Sequence, residues 1–205
     1  MDVRPLIASE LDEAAATLAR AFQSDPLFTF LLPDPERRAR WLHWFQLRAL
    51  REAHLVGGAF TVVGPGVGAI GLYPPGTWPA SLYQQMKATP FPIGLPPWRL
   101  LTAGLHLERR MHEHHPSFRH VYVYVLGVDP SQHGRGCGGA LLRHAAAMAR
   151  EAKVRAHLET GNPANISLYQ RFGYEVTHEI TSHEGPPLWI MTTPERAASR
   201  LEGDA

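Results

Sequence analysis

The chain has 205 residues, of which 44% are hydrophobic and 19% are charged, and its formal net charge is +1 with histidine neutral. These values are ordinary for a globular protein, and they argue against recognition of nucleic acid through a strongly basic surface. The single cysteine excludes an internal disulfide, and no apolar run approaches the roughly 18 residues of a membrane span. We therefore expect one cytoplasmic domain over residues 1–205, a monomer or homodimer without a signal peptide or membrane contact.

The first half of the chain predicts one short strand, two helices and a hairpin. Residues 3–7 predict the strand, and Ser9 is the expected N-cap of a helix whose apolar stripe runs from Leu11 to Phe22. Pro35 starts a second predicted helix that extends to about residue 53. Residues 54–76 predict a hairpin, because β-branched residues flank a Gly-Pro-Gly turn. The following stretch, 74–118, is rich in proline and partly helical.

The second half has the stronger signals. Residues 120–128 are dense in valine and tyrosine and predict a strand. A glycine-rich stretch follows, and then a helix that extends to about residue 151. A further strand is expected over 155–160, and a short helix over 162–174 ends at Gly173. The tail predicts two strands joined by a His-Glu-Gly-Pro turn, with residues 195–205 frayed.

Four glycines fall within six residues between the predicted strand and helix: Gly134, Gly136, Gly138 and Gly139. A loop at a helix N-terminus presents unpaired backbone N–H groups at the positive end of the helix dipole, which suits an anion such as phosphate. Glycine allows close approach of that anion because no side chain stands in the way. The alternative is a flexible turn with a tight helix contact, and the glycines alone do not exclude it.

The same glycines satisfy a dinucleotide-binding pattern, G-x-G-x-x-G, over Gly134, Gly136 and Gly139, with Glu159 downstream at a strand end. A dinucleotide loop, however, opens directly from its strand, whereas here residues 129–133 intervene. An oxidoreductase that binds NAD therefore remains one of three hypotheses for the function, and it ranks last. The G-x-x-x-x-G-K-[ST] loop of ATPases is absent from the sequence.

Two blocks resemble the GNAT family of N-acetyltransferases. Residues 128–138 resemble the family's V-x-P-x-x-[QR]-x-x-G-x-[GA] motif through Val128, Pro130, Gly136 and Gly138, while His133 stands where glutamine or arginine is usual. The segment from Asn165 to Tyr174 resembles the family's N…LYxxxGF block. More narrowly, residues 158–176 and 184–192 are similar to puromycin N-acetyltransferase and its relatives.

The resemblance implies an α/β (α+β) fold with a mixed, mostly antiparallel sheet of about six or seven strands. The sheet is expected to be splayed between its fourth and fifth strands, with helices on both faces. The implied co-substrate is acetyl-CoA, held largely by backbone N–H groups. The residues expected to bind it are Leu126, Gly127, Val128, His133, Gly134, Arg135, Gly136, Cys137, Gly138, Gly139, Asn162 and Asn165. A backbone N–H group at the splayed end of the fourth strand, Leu126 to Val128, is expected to polarise the thioester carbonyl. Gly127 suits an irregular strand end there.

The implied reaction is direct attack of an amine on the thioester in a ternary complex. Tyr169 matches the family's general acid, which protonates the leaving thiolate; its alternative role is packing around the sulfur. The fourth strand offers no carboxylate to act as base, so Glu159 on the neighbouring strand is the candidate, with a purely structural carboxylate as the alternative. The reaction needs no covalent intermediate, so Cys137 is not expected to act as a nucleophile.

The expected acceptor is the amine of a small, partly hydrophobic molecule. Phe28, Phe30, Tyr122 and Tyr124 are the candidate lining of its site, and residues 74–118 are expected near it. The HEHH stretch at residues 112–115 lacks the spacing of a zinc-protease motif, so we expect no metal. The alternative function, from another class, is a non-catalytic protein that binds or senses acyl-CoA.

Overall fold

A seven-stranded sheet forms the centre of the computed structural model, which describes residues 1–95, 97–181 and 185–195, except the side chain of Glu108. Its strands are β1 (Val3–Pro5), β2 (Ala59–Val62), β3 (Gly68–Tyr73), β4 (His120–Val128), β5 (Arg155–Thr160), β6 (Glu175–Ile180) and β7 (Leu188–Thr192). Their order across the sheet is β1-β2-β3-β4-β5-β7-β6. Only the β4–β5 pair is parallel, and the other pairs are antiparallel. The mixed, mostly antiparallel sheet predicted from the sequence is confirmed.

Seven α-helices accompany the sheet in the described part of the chain: α1 (Leu11–Ala21), α2 (Pro26–Leu31), α3 (Pro35–Leu55), α4 (Leu82–Ala88), α5 (Leu105–His114), α6 (Cys137–Glu151) and α7 (Ile166–Arg171). One apolar core packs α1 and α3 against alternate side chains of β2 to β4. A second core packs α6 and α7 against the opposite face of the sheet. Helices therefore cover both faces, as expected.

The helix starts follow from local capping. Asp34 accepts a hydrogen bond from the Arg37 amide at 2.7 Å, and Pro35 stands at the first helical position, so α3 begins where the sequence predicted. Asp25 caps α2 in the same way through the Leu27 amide at 3.0 Å. The Ser9 prediction is wrong, because residues 8–10 form a 3-10 turn and α1 begins one residue later, after Glu10.

The tail agrees with prediction where it is described. β6 and β7 are the two expected strands, although residues 182–184 of their connection lie outside the described residues. The predicted fraying of 195–205 also concerns mostly residues outside that range. Among the described residues, no helix is both long enough and apolar enough to cross a membrane.

An opening in the sheet lies between β4 and β5. The two strands pair from His120 with Arg155 to Val123 with Leu158, and there the pairing ends. At the same level the β3–β4 register shifts, because Gly71 pairs with Val125 whereas Leu72 pairs with Val123. Tyr124 is therefore the extra residue of a β-bulge, a feature that bends a strand and re-aims its side chains. The predicted splay is confirmed.

The predicted irregular strand end at Gly127 is wrong, because residues 126–128 pair regularly with β3. Glycine at position 127 has another cause. A Cβ there would lie 2.7 Å from the Leu18 side chain and 3.0 Å from that of Ala21. Gly127 therefore allows α1 to pack directly on β4, and this contact places the end of α1 beside the opening in the sheet.

Candidate functional site

The glycine-rich loop forms one wall of a cleft of about 760 Å³, here called the loop cleft. Its other walls are the end of β4, the end of α1 with the turn that follows it, and residues of the segment from Asn162 to Phe172. The predicted residues that line it are Leu126, Gly127, Val128, His133, Gly134, Gly136, Cys137, Gly138, Gly139, Asn162 and Asn165. Arg135 is the exception in the prediction, since it lies exposed outside this lining.

The loop backbone explains its glycines. Gly134 and Gly136 have φ values of +77° and +81°, in the left-handed region that other L-residues rarely adopt, and Gly136 is the N-cap of α6. A Cβ at Gly138 would meet only the Val128 side chain, at 3.7 Å. The first residues of α6 line the cleft, and a helix leaves its first amides without intrahelical partners, as an anion site requires.

Side chains fix the loop at its start. Asp129 accepts hydrogen bonds from the Ser131 amide at 3.0 Å and the Ser131 hydroxyl at 2.6 Å. Arg20 of α1 donates to the same carboxylate at 2.6 Å. These hydrogen bonds lower the pKa of Asp129 to about 2, those of Ser131 more than that of Arg20. His133 donates from Nε2 to the Val128 carbonyl at 3.1 Å, so this departure from the family motif supports the loop.

Sequence reasoning missed two cations of the loop cleft. Arg143 lies on α6 and Arg171 ends α7, and both line the cleft. An i, i+4 step from Gly139 places Arg143 on the face of α6 that carries the loop, and this spacing was the available signal. Arg143 also lies over the Phe172 ring, with its guanidinium carbon 6.0 Å from the ring centroid. The cleft thus combines free amides with positive charge.

A second cleft of about 310 Å³, here called the aromatic cleft, lies on the other side of the opening between β4 and β5. Three predicted residues line it, namely Phe28, Tyr122 and Tyr124, together with Phe45. The fourth predicted residue, Phe30, lies elsewhere: it lines a separate cleft of about 150 Å³ beside Gly185. Phe28 and Phe30 are two positions apart on the short helix α2, so their side chains point in different directions. From the 74–118 stretch, Leu100 and Met111 reach the aromatic cleft.

The two clefts meet. Five residues line both of them: Phe22, Asp25, Leu126, Asn165 and Tyr169. Tyr169 is only 7% exposed, and burial, with a smaller contribution from the Asp25 charge, raises its pKa to about 12. The phenol is therefore protonated at neutral pH. Asn162 caps the turn after β5 through the Ala164 amide at 3.0 Å, whereas the side chain of Asn165 makes no capping bond.

Asp25 is a site residue that the sequence did not single out. It is buried at the junction of the two clefts, and burial raises its pKa despite the hydrogen bonds that its carboxylate accepts from backbone amides. An aspartate directly before a proline is typical of a helix start, so nothing in the local sequence indicated that Asp25 belongs to the site.

Glu159 lies buried at the wall of the aromatic cleft. His157 Nε2 lies 3.0 Å and His115 Nδ1 lies 3.7 Å from its Oε1 atom, and Tyr122 also bonds to it. Burial by itself raises the pKa of Glu159, but the two imidazoles and the tyrosine outweigh burial and lower it to about 2. His115 follows α5 and belongs to the HEHH stretch, so this stretch does more than end a helix.

His115, His157 and Glu159 present three atoms of the kind that can bind a metal ion. These atoms all lie within 4.8 Å of one another, and Oε1 of Glu159 is 3.7 Å from His115 Nδ1 and 3.0 Å from His157 Nε2. Ligand atoms of a tetrahedral zinc site are roughly 3.3 Å apart, given bonds of about 2.0 Å. The 3.0 Å contact between His157 and Glu159 has the length of a hydrogen bond. We therefore treat the group as a hydrogen-bonded network.

The depressed pKa of Glu159 predicts a pH-dependent contribution to stability. A carboxyl group whose folded pKa lies below its ordinary value stabilises the fold above that ordinary value, and the contribution is lost as pH falls through the folded pKa. We expect Glu159→Gln to lower the melting temperature at pH 7 and the gap from wild type to narrow between pH 5 and pH 2. Thermal denaturation monitored by circular dichroism measures this. Glu175→Gln, at an exposed carboxylate of β6, is the control; a gap that is constant with pH would contradict the prediction.

Comparison with known proteins agrees with the two blocks and the fold. Residues 14–174 match the model of the acetyltransferase (GNAT) family. A mycothiol acetyltransferase from Salinispora tropica is 39% identical over 75 residues, which cover 35% of this chain and 24% of that protein. The chain thus matches about a quarter of the length of this relative. The N-alpha-acetyltransferase RimI of Mycobacterium tuberculosis is 40% identical over 53 residues, covering 26% of this chain and 34% of that protein.

Among solved structures, one from Corynebacterium glutamicum is described as histone acetyltransferase HPA2 and related acetyltransferase. It superposes with a TM-score of 0.65 at 23% identity and covers 94% of both chains. This likeness concerns the fold. Because the family model spans most of the chain, including both blocks and the opening between β4 and β5, the chain belongs to the acetyltransferase (GNAT) family.

Proposed function

We propose that the protein transfers the acetyl group of acetyl-CoA to the amine of a small, partly hydrophobic molecule, by direct attack in a ternary complex. The observation that carries this proposal is the junction of the two clefts at Tyr169, Asn165 and Leu126. A donor in the loop cleft and an acceptor in the aromatic cleft would meet there. Family membership supports the reaction type, since GNAT proteins are acetyltransferases.

The loop cleft suits the pyrophosphate of CoA. The left-handed glycines leave the first amides of α6 open, and Arg143 and Arg171 add positive charge from two helices. Asn165 lines both clefts at the junction, where its side-chain amide can bond the extended arm of CoA. A dinucleotide is less well matched, because the loop follows β4 only after a 3-10 turn over Pro130–Gln132.

The opening in the sheet supplies donors for the thioester carbonyl. Past Val123, β4 no longer pairs with β5, so its backbone groups on that side are available at the junction. Backbone N–H groups that are fixed before the reaction stabilise the negative charge that develops on an attacked carbonyl oxygen. The bulge at Tyr124 and the β3 partner hold this stretch in place.

Tyr169 is proposed to act on the leaving sulfur. Its pKa of about 12 keeps the hydroxyl protonated at neutral pH, so the group can donate to a thiolate as that charge forms. The Tyr169 hydroxyl forms no hydrogen bond with a group in the described part of the chain. The hydroxyl is therefore free to turn toward the junction of the two clefts.

The aromatic cleft suits the acceptor. Phe28, Phe45 and Tyr124 offer apolar surface for a compact carbon skeleton, and the buried carboxylate of Glu159 offers a counter-charge for an ammonium group. A carboxylate with a pKa of about 2 holds a cation well but is a weak base on its own. We therefore propose that Glu159 contacts and orients the amine, rather than serving as the sole base.

The test is turnover of an amine panel with acetyl-CoA, followed by release of the CoA thiol and by mass analysis of the product. The panel contains arylalkylamines, aliphatic amines, polyamines and a peptide with a free N-terminus. We expect small amines with an apolar skeleton to be acetylated fastest. Binding of acetyl-CoA without acetylation of any amine would favour a non-catalytic acyl-CoA sensor, and preference for the peptide would contradict the proposed acceptor class.

A further inference from the structure

Three histidines surround Glu159 behind the aromatic cleft. His115 follows α5, His120 opens β4, and His157 lies on β5 two residues before Glu159. We call this group the histidine cluster. It is largely shielded from solvent: the side chains of His115 and Glu159 are 10% and 5% exposed, and that of His157 is fully buried. In such surroundings each ring nitrogen needs a defined hydrogen-bond role.

The partners of His120 define its protonation. Its Nδ1 atom lies 2.7 Å from the Phe118 carbonyl oxygen, and since a carbonyl only accepts hydrogen bonds, Nδ1 carries the hydrogen. Burial, with the neighbouring histidines, lowers the pKa of His120 to about 4, so the ring is neutral at neutral pH. The second nitrogen, Nε2, is consequently an acceptor.

The partners of His115 follow from this. Its Nε2 atom lies 3.1 Å from Nε2 of His120 and must donate the hydrogen of that bond. In a neutral ring the other nitrogen, Nδ1, then carries a lone pair. This atom faces Oε1 of Glu159 across 3.7 Å, which is longer than a hydrogen bond. In the neutral ring, two acceptors therefore face each other across this gap, whereas a proton on Nδ1 makes it a contact that lowers the pKa of Glu159.

His157 completes the arrangement. Its Nδ1 atom lies 3.2 Å from the Thr192 hydroxyl, which can donate to it, and its Nε2 atom lies 3.0 Å from Oε1 of Glu159 and can donate there. His157 therefore satisfies and orients the carboxylate through the hydrogen that its Nε2 atom carries. The position that remains for a proton is the one between His115 and Glu159.

Building on the proposed function, we propose that Glu159 and His115 act together as the proton acceptor of the reaction. Glu159 contacts the ammonium group of the acceptor, and the proton ends on Nδ1 of His115. The N–H bond of the ammonium breaks with its electron pair left on nitrogen, and an N–H bond to His115 forms. The nitrogen then attacks the thioester as a free amine.

Charge is conserved in this step. Before transfer the group holds an ammonium, a carboxylate and a neutral imidazole; afterwards it holds an amine, a carboxylate and an imidazolium. No net charge is created in a poorly solvated site, where an unpaired charge would be costly. The new imidazolium pairs directly with Glu159, and the exposed part of the His115 side chain gives the proton a route to water.

The groups that face His115 come from the segment before α4 and from the strands β4 and β5. The ring contacts Trp78 before α4 at a centroid distance of 5.4 Å. The titratable groups around it are His120 and Tyr122 of β4 and His157 and Glu159 of β5. Glu159 is the anion among these neighbours, so it is the group that stabilises a proton on His115.

The test compares His115→Gln with wild type across pH 6 to 10, using an amine that wild type acetylates. We expect kcat/KM of the variant to fall about 100-fold at pH 7, a usual loss for a proton-transfer group. The defect should shrink as pH rises, because the free amine then no longer needs a base, and the affinity for acetyl-CoA should not change. The matched control is His114→Gln, whose ring lies against His178 outside the cluster and should behave like wild type.

A second measurement separates proton transfer from packing. In His115→Ala, added imidazole should restore part of the activity, because it can occupy the vacated space and accept the proton. A His115→Gln defect that is the same at every pH, together with no imidazole rescue, would overturn the proposal. Loss of wild-type activity on chelation, restored by zinc, would also overturn it, since a metal ion would then occupy the gap. If wild type acetylates no amine, the proposed function itself fails, whereas an active wild type with an unaffected His115→Gln variant refutes this inference alone.

Discussion

Tyr169→Phe is expected to lower kcat about 100-fold, the lower end of the range for loss of a general acid, while the Kd of acetyl-CoA changes less than about twofold. The substitution removes the hydroxyl at the junction of the two clefts and keeps the ring that packs edge-on against Tyr174, at a centroid distance of 6.1 Å. Binding depends on the loop amides, so it should survive. Initial rates at saturating acetyl-CoA and a calorimetric titration measure the two effects separately.

Tyr174→Phe is the matched control for this experiment. Tyr174 is 1% exposed, and its buried hydroxyl has no hydrogen-bond partner among the described residues, so its removal should leave activity unchanged and stability equal or higher. Activity of Tyr169→Phe equal to wild type would remove the hydroxyl from the reaction. A parallel loss in both tyrosine variants would point to packing of α7 as the cause.

Gly138→Val is expected to raise the Kd of acetyl-CoA at least tenfold, equivalent to about 1.4 kcal/mol, without lowering the melting temperature. The new side chain would project into the loop cleft beside the first amides of α6, where the pyrophosphate is proposed to lie. Its Cβ meets only Val128, at an ordinary contact distance of 3.7 Å. Valine is also a better helix former than glycine, so the fold should tolerate it.

Gly138 gives a cleaner test than Gly136. The φ of +81° at Gly136 would strain any other residue, so a weak Gly136→Val variant could reflect a distorted loop. Gly64→Val is the control, because a Cβ at this half-buried position between β2 and β3 meets no described atom within 4 Å and Gly64 lines neither cleft. Unchanged acetyl-CoA affinity in a folded Gly138→Val protein would show that the pyrophosphate binds elsewhere.

The parts of the molecule governed by local chemistry could be predicted from the sequence. The dense β-branched residues of β4 and the glycines before α6 follow short-range rules. The proline and aspartate at the start of α3 also act locally. The motif resemblance then supplied the mixed, mostly antiparallel sheet and the opening between β4 and β5, which periodicity alone does not give.

The remaining features depend on contacts between distant segments. Asp25 follows α1 in a stretch that the sequence marks only as a turn, and packing of α1 against β4 helps to place it beside Tyr169. His115 looked like a helix end, and it meets Glu159 because the chain returns through β4 and β5. The position of the bulge at Tyr124 is likewise a matter of the β3–β4 register.

The central claim is that the loop cleft binds acetyl-CoA, and calorimetric titration of the wild-type protein with acetyl-CoA, with NAD as comparison, tests it most directly. The account predicts one site with a micromolar Kd, a binding free energy of about −8 kcal/mol, and no heat with NAD. Binding of NAD alone would contradict it and restore the dinucleotide interpretation of Gly134, Gly136 and Gly139. Absence of both heat and thermal stabilisation with saturating acetyl-CoA would contradict it as well.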